Sequence, residues 1–477
     1  MTDRVVPTWT EPLARRASAV VGGPLGSHAV VGRHWFWTPL RVVLLLAVLV
    51  LAVSWLAKSP CLQTWTDGTG VERLDWRDAR QYQAGCYSDT VPLYGGARLD
   101  RPGLGGFPYA TSWEQDGRVR HLESPVFAGL FQWGNAKLAQ AWVAVGVLPA
   151  SLPVIVFFDL TAWWLALAWL VTVWALVLLS PRRPWDAVLA AVSPLVLVHA
   201  FTGVDALATA LATLGVLAWA RRRPAPAGVL LGLGGAVAPF PLLLLVPLLA
   251  LCVRAGRLRD GLRAAGAAAL AWAALNVPLA VLFPAGWSEG LRVAVSRAPD
   301  RDSLYAVVNV LTGAPPILPG AVTVVSALLL GWACAAVAWL ALAAPRRPRL
   351  AQLCFLIVCA FLLVGTAWRP QSSLWLVPLA ILALPRWRPL LAWMLVDALV
   401  WVPRMAFYLG TDRDGLPVQW FAGAVLLRDL MVVALCVLVV REVWRPEKDL
   451  QRTAGPEDDP HGGVLDGAPD AMVVRTR

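Results

Sequence analysis

Charge is scarce in this chain. Only 15% of its 477 residues are Asp, Glu, Lys or Arg, 58% are hydrophobic, and the mean hydropathy is +0.62. A soluble domain of this length is more evenly mixed, and here long uncharged runs recur throughout, so the composition is that of a polytopic membrane protein. Histidine is also rare: there are five, scattered, with no pair at ligand spacing, which leaves a metal centre little support. Seven cysteines in so long a chain do not make a disulfide scaffold. Cys252, Cys334, Cys354, Cys359 and Cys436 lie in apolar runs and read as packing residues. Cys61 and Cys86 both follow the first apolar run, where a disulfide is chemically allowed if that loop is external; spacing alone does not fix their distance. Residues 1–33 have no apolar core, so no cleavable signal peptide is expected and the first span acts as its own insertion signal. No repeat is strong enough to imply an inverted-repeat transporter.

What is abundant is arginine, and it is ordered. The formal charge of +11 sits in short clusters between apolar runs and not on one patch, which argues against nucleic acid and for the bias of cytoplasmic loops toward cations. Arg15, Arg16, Arg33 and Arg41 precede or open the first span, near 38–57, and place the N-terminus in the cytoplasm. The run from 157 ends at "PRRP" (Arg182, Arg183) and so crosses inward, leaving 58–156 external. Its apolar part, 138–156, is broken by "LPASLP" and reads as an interfacial or re-entrant helix. Further spans fall near 187–201, 205–220, 263–283, 318–344, 350–368, 372–385, 389–409 and 418–440. The stretch 226–253 has basic flanks at both ends and reads as two short spans meeting near Pro239.

The expectation is an all-α plasma-membrane bundle of about ten to twelve transmembrane helices with both termini cytoplasmic. It comprises a cytoplasmic tail at 1–37, a membrane domain at 38–444 with the large first external loop, and a disordered cytoplasmic tail at 445–477.

The external loop holds most of the chemistry. Most of its carboxylates read as solvated, but Asp78 and Asp89 have company: Tyr82, Tyr87, Tyr94 and Tyr109 are four of only six tyrosines. Aromatic rings stack on sugar faces and carboxylates accept hydroxyl protons, which is the equipment of a carbohydrate site. Arg404, Arg428 and Asp429 lie in or near apolar spans, where charge is costly. Pairing with Asp397 or Arg404 and binding of a lipid phosphate are equally weighted readings. Asp205, close to His199, is either a helix N-cap, the favoured reading, or a second acid facing the same cavity. Arg369 at the outer end of a span either snorkels or stabilises a departing phosphate.

Asp78-Ala-Arg-Gln-Tyr82, followed by Pro92-Leu93-Tyr94, resembles the first external loop of the polyprenol-phosphate-sugar-dependent glycosyltransferases of the GT-C fold, in particular the mannosyltransferase-like family 87. The resemblance continues through "LESPVFAG" (122–129), "GVDALATAL" (203–211), "AGVLLGLGGAVAPFPLLLL" (227–245) and "RPQSSLWLVPLAILALPRW" (369–387). It implies inverting transfer of a sugar, mannose or a relative, from a polyprenyl-phosphate donor to a glycolipid or glycan acceptor at the outer membrane face. Asp78 would be the general base and Asp89 the reserve. Tyr82, Tyr94, Asp205, Arg369, Gln371, Arg404 and Arg428 are the substrate-binding candidates; no cofactor or metal is required, and the partners are lipids and saccharides. The chain departs from the family pattern at Ser124, Ala238 and Ser372, in place of a Tyr, a Lys and a Tyr. The alternatives are a transporter or flippase of lipid-linked sugars and a catalytically inactive relative.

Overall fold

The computed structural model describes residues 12–14, 16–17, 37–146, 151–313, 318–453 and 458–474. Arg15, Arg33 and the first half of "LPASLP" lie outside them. The chain is 71% helical with almost no sheet. In chain order the helices are α1 (Pro39–Leu56), α2 (Thr90–Gly96), α3 (Val126–Val145), α4 (Pro153–Leu179) and α5 (Pro184–His199, interrupted near Ser193). Then come α6 (Asp205–Ala220), α7 (Pro224–Gly235), α8 (Phe240–Arg254), α9 (Leu258–Leu282), α10 (Pro284–Ser296) and α11 (Leu304–Thr312). They are followed by α12 (Pro319–Ala343), α13 (Leu350–Val364), α14 (Pro370–Ala383), α15 (Trp387–Leu409) and α16 (Val418–Trp444), with one further turn at Leu450–Thr453. Two hairpins ornament the first loop, β1 (Thr64–Thr66) with β2 (Glu72–Leu74) and β3 (Trp113–Gln115) with β4 (Arg118–Arg120).

Among the described residues six helices, α1, α4, α9, α12, α15 and α16, are long and apolar enough to cross a membrane. The other apolar runs also fold as helices, but six of these have only 10–17 residues. A 12-residue helix such as α7 rises about 18 Å, short of the roughly 30 Å hydrocarbon core. These short helices are sheathed by the long ones: every residue from Leu376 to Leu384 in and after α14 is buried, and α13 is buried from Leu350 to Cys359. A helix that is apolar all round belongs inside a bundle.

The segment 138–156, expected as one interfacial helix, is divided. Residues up to Val145 close α3, which starts earlier, at Val126; Gly146 ends it in the left-handed conformation (φ +66°), and α4 begins with Pro153 at its first position.

α7 packs most intimately on α9. Gly228 and Gly232, one turn apart, let the backbones meet: a β-carbon at Gly228 would collide with the carbonyl of Ala264, and one at Gly232 with that of Ala268. Gly228→Val is therefore expected to destabilise the bundle by about 1–3 kcal/mol through overpacking, read as a lower melting temperature in detergent.

Among the described residues, Arg183, Arg222, Arg254, Arg347, Arg349 and Arg386 gather at one end of the bundle, where they do structural work. Arg254 donates to the carbonyls of Ala341 and Ala344, and Arg349 to those of Leu382 (2.6 Å) and Ala383 (2.7 Å), so cations close the C-terminal ends of α12 and α14. The segment after 445, expected to be disordered, is a correction to the sequence reading. Its described residues form a strap across this end, because its acids meet those cations. Asp449 pairs with Arg349 at 2.7 Å, Asp470 with Arg254 at 2.7 Å, and His461 reaches the Leu179 carbonyl.

Candidate active site

The opposite end gathers the loops. α1 delivers Lys58 two residues past its end, and a disulfide between Cys61 and Cys86 (Cα to Cα 5.7 Å) ties that point to the segment carrying Tyr87, Ser88 and Asp89. This segment is stitched to the α5–α6 connection. The Ser88 hydroxyl donates to the Phe201 carbonyl at 2.7 Å, and the Asp89 N–H donates to the Thr202 carbonyl at 2.8 Å.

The third contributor is the start of α14. Pro370 occupies its first position, where a missing N–H costs nothing, and the next two residues face the site. The Gln371 amide, 3% exposed, donates to Asp89 Oδ2 at 2.7 Å. The Ser372 hydroxyl donates to Asp205 Oδ1 at 3.4 Å. Gly203 lies between them: a β-carbon there would stand 2.9 Å from Asp205 Oδ2 and 3.0 Å from Gln371 Nε2. Asp89, Gln371, Asp205 and Ser372 thus form one chain of polar groups drawn from three elements. Asp205 is the first residue of α6, and Val204, with no side-chain cap, precedes it. The favoured N-cap reading therefore gives way to a carboxylate turned toward α14.

Cations border this chain. Arg369, exposed, lies within electrostatic reach of Asp205. Arg404 faces Asp89 and holds Asp302 at 3.1 Å while lying over the rings of Trp401 (5.5 Å) and Tyr408 (5.0 Å). Asp302, in the loop before α11, is pushed above the ordinary carboxyl range by burial, with Arg404 opposing. Arg428 serves a different purpose. Only 1% exposed, it stacks on Trp368 at 3.8 Å and bonds Asp429 (3.0 Å) and the Asp302 carbonyl (2.8 Å). It holds the strap leading to α14 and stands behind the site.

The tyrosines divide. Tyr82, on a single helical turn at Arg80–Gln83, stacks on Tyr87 (centroids 5.8 Å apart) and on Tyr408 (5.7 Å), making an aromatic shelf beside Arg404. Burial next to Asp89 raises the Tyr87 phenol far above its usual range. Tyr94 is buried against Phe157, its hydroxyl accepting from Gln140, and Tyr109 bonds the Ser124 carbonyl; both belong to a separate apolar cluster under α2 and α3. Asp78 is exposed, at φ +54°, at the edge of the loop, and no described hydrogen bond joins it to the polar chain. Among the described residues no group of three or more His, Cys, Asp or Glu converges in a way that could hold a metal ion.

Two features were invisible to sequence reasoning. Lys58, 2% exposed, follows directly on an apolar run and reads there as an ordinary interfacial cation. Trp401, whose indole donates to the Gly85 carbonyl at 2.7 Å, links α15 to the loop. Ser372, read from the sequence as a lost tyrosine, is a bonding partner of Asp205.

Residues 139–366 match the model of a protein family described as glycosyltransferase family 87. That stretch contains α4 to α13 and Asp205, while the Asp89 segment precedes it and Gln371 follows it. No curated protein matches the chain.

Proposed function

We propose that this chain, a membrane glycosyltransferase that belongs to family 87, transfers a sugar, mannose or a close relative, from a polyprenyl phosphate to a glycolipid or glycan acceptor at the extracytoplasmic face of the plasma membrane. Asp89 is the general base of that reaction. The observation that carries this reading is the convergence of Asp89, Gln371, Asp205 and Ser372 at the end of the bundle away from the arginine clusters.

The chemistry follows from the arrangement. Asp89, half-buried and oriented by Gln371, removes the proton from the acceptor hydroxyl as its oxygen attacks the anomeric carbon. The bond from that carbon to the donor phosphate breaks on the opposite face, so configuration inverts. The phosphate leaves on its lipid, and Arg369 and Arg404 supply charge that stabilises it. Asp205 and Ser372 accept and donate to sugar hydroxyls, and the shelf of Tyr82, Tyr87 and Tyr408 offers ring faces. A phosphate that is already a competent leaving group needs neither a nucleotide nor a cofactor. The geometry favours Asp89 over Asp78, because only Asp89 is oriented by a second side chain of the site.

The test is transfer by the purified protein in lipid nanodiscs, given radiolabelled polyprenyl phosphomannose and an extract of envelope glycolipids. A labelled glycolipid of inverted configuration is the expected product. Asp78→Asn is expected to stay within about threefold of wild type, the scale of a residue outside the proton transfer. If Asp78→Asn instead abolishes transfer while Asp89→Asn does not, the base is Asp78.

A further inference from the structure

We propose that Lys58 is a positioning residue for Asp89, holding both the segment that carries this carboxylate and its negative charge; the inference rests on the reading of Asp89 as the base. Three observations lead to it. Lys58 Nζ donates to the Tyr87 carbonyl at 2.9 Å and to Thr202 Oγ1 at 3.2 Å. The same two residues bracket Asp89, since its N–H donates to the Thr202 carbonyl. The ammonium therefore bridges the two strands of chain that fix the Asp89 backbone. The cation is also enclosed: 2% exposed, it lies over the Trp401 ring at 5.1 Å, and His199, itself fully buried, stands edge-on to the same ring.

A lysine so enclosed stays charged only with an anion at hand. Burial lowers the Lys58 ammonium to about 7, and Asp89 is the charge that opposes the fall. The groups facing the pair from every side are Tyr87 on the same loop, His199 at the end of α5, Asp205 on α6 and Arg404 on α15. Asp205 repels the Asp89 charge, Arg404 attracts it, and both cations act on His199. Lys58 is thus an enclosed cation within electrostatic reach of Asp89 that bonds the residues around it, whereas Arg404 is also paired with Asp302.

The disulfide belongs to the same device. Cys61 follows Lys58 by three residues and Cys86 precedes Asp89 by three, so the cross-link fixes the spacing of the two partners.

The experiment reads Asp89 directly and needs no substrate. In nanodiscs, the infrared carbonyl band of a protonated carboxyl that disappears in Asp89→Asn is followed against pH in wild type, Lys58→Gln and Lys58→Arg. Lys58→Gln keeps donors but removes charge, and is expected to move the midpoint of the band upward; Lys58→Arg is expected to restore it. An unmoved midpoint in a folded Lys58→Gln protein overturns the proposal. Should Lys58→Gln not fold, Thr202→Val, which removes one of the two Nζ bonds, decides the matter: a smaller upward shift supports the proposal and no shift overturns it. In the transfer assay, Lys58→Gln is expected to move the acidic limb of the rate profile upward by the same interval with little change in KM for the donor. Failure of the underlying reading shows separately. If Asp89→Asn transfers sugar at full rate while the infrared shift is present, the base assignment is wrong and the Lys58 to Asp89 coupling stands. If Asp89→Asn is inactive and the shift is absent, only the Lys58 proposal falls.

Discussion

Asp89→Asn is expected to lower sugar transfer by about 10²–10⁴-fold, the contribution of a positioned general base, while leaving the protein folded. The amide nearly matches the carboxylate in shape and can still meet Gln371, so the loss falls on kcat and not on donor binding. Measured with labelled polyprenyl phosphomannose at saturating concentration, a drop in kcat with an unchanged KM is the signature of a group that acts in the transition state. Retention of more than a tenth of the wild-type kcat would remove Asp89 from the chemistry.

The second large effect is on stability and lies at the other end of the molecule. Arg349 is fully buried, pairs with Asp449 and donates to two carbonyls at the end of α14. Arg349→Ala takes away this guanidinium and leaves Asp449 and both carbonyls buried without it. The expected cost is about 3–5 kcal/mol, that of breaking a buried ion pair from one side. A thermal melt in detergent should show it as an early transition, together with protease cleavage in the strap after residue 445. A melting temperature within one or two degrees of wild type would mean that the strap contributes little to the bundle.

The helical course of the chain was legible because lipid imposes it: each apolar run between arginine clusters became a helix, and the interruption at Pro239 separated α7 from α8. Helix length was less legible. α13 and α14 are as apolar as a lipid-facing span, and only packing shows that they are enclosed by protein. The strap after 445 was misread because its carboxylates look solvating in isolation, and the arginines that neutralise them lie a hundred or more residues away in sequence. In the site, Asp89, Asp205 and Gln371, which the structure brings to one end of the bundle, were all among the candidates. Their convergence was not readable, since Asp89 and Gln371 are 282 residues apart. The motif Asp78-Ala-Arg-Gln-Tyr82 drew attention to Asp78, which the structure leaves exposed and outside the Asp89–Gln371 contact. Lys58 went unnoticed for a related reason: a cation after an apolar run has an ordinary interfacial explanation, and burial alone distinguishes it.

The most direct measurement is an electron cryomicroscopy structure of the protein in a nanodisc with a non-transferable polyprenyl-phosphate sugar. The base bonds the acceptor hydroxyl at about 3 Å, and that oxygen attacks from about 3 Å further, so the anomeric carbon should lie within roughly 6 Å of Asp89. The phosphate should lie toward Arg369 and Arg404 and the sugar against Gln371, Asp205 and Ser372. A donor bound at the arginine-rich end, or one whose anomeric carbon stands far from Asp89 with other side chains between, would contradict the account.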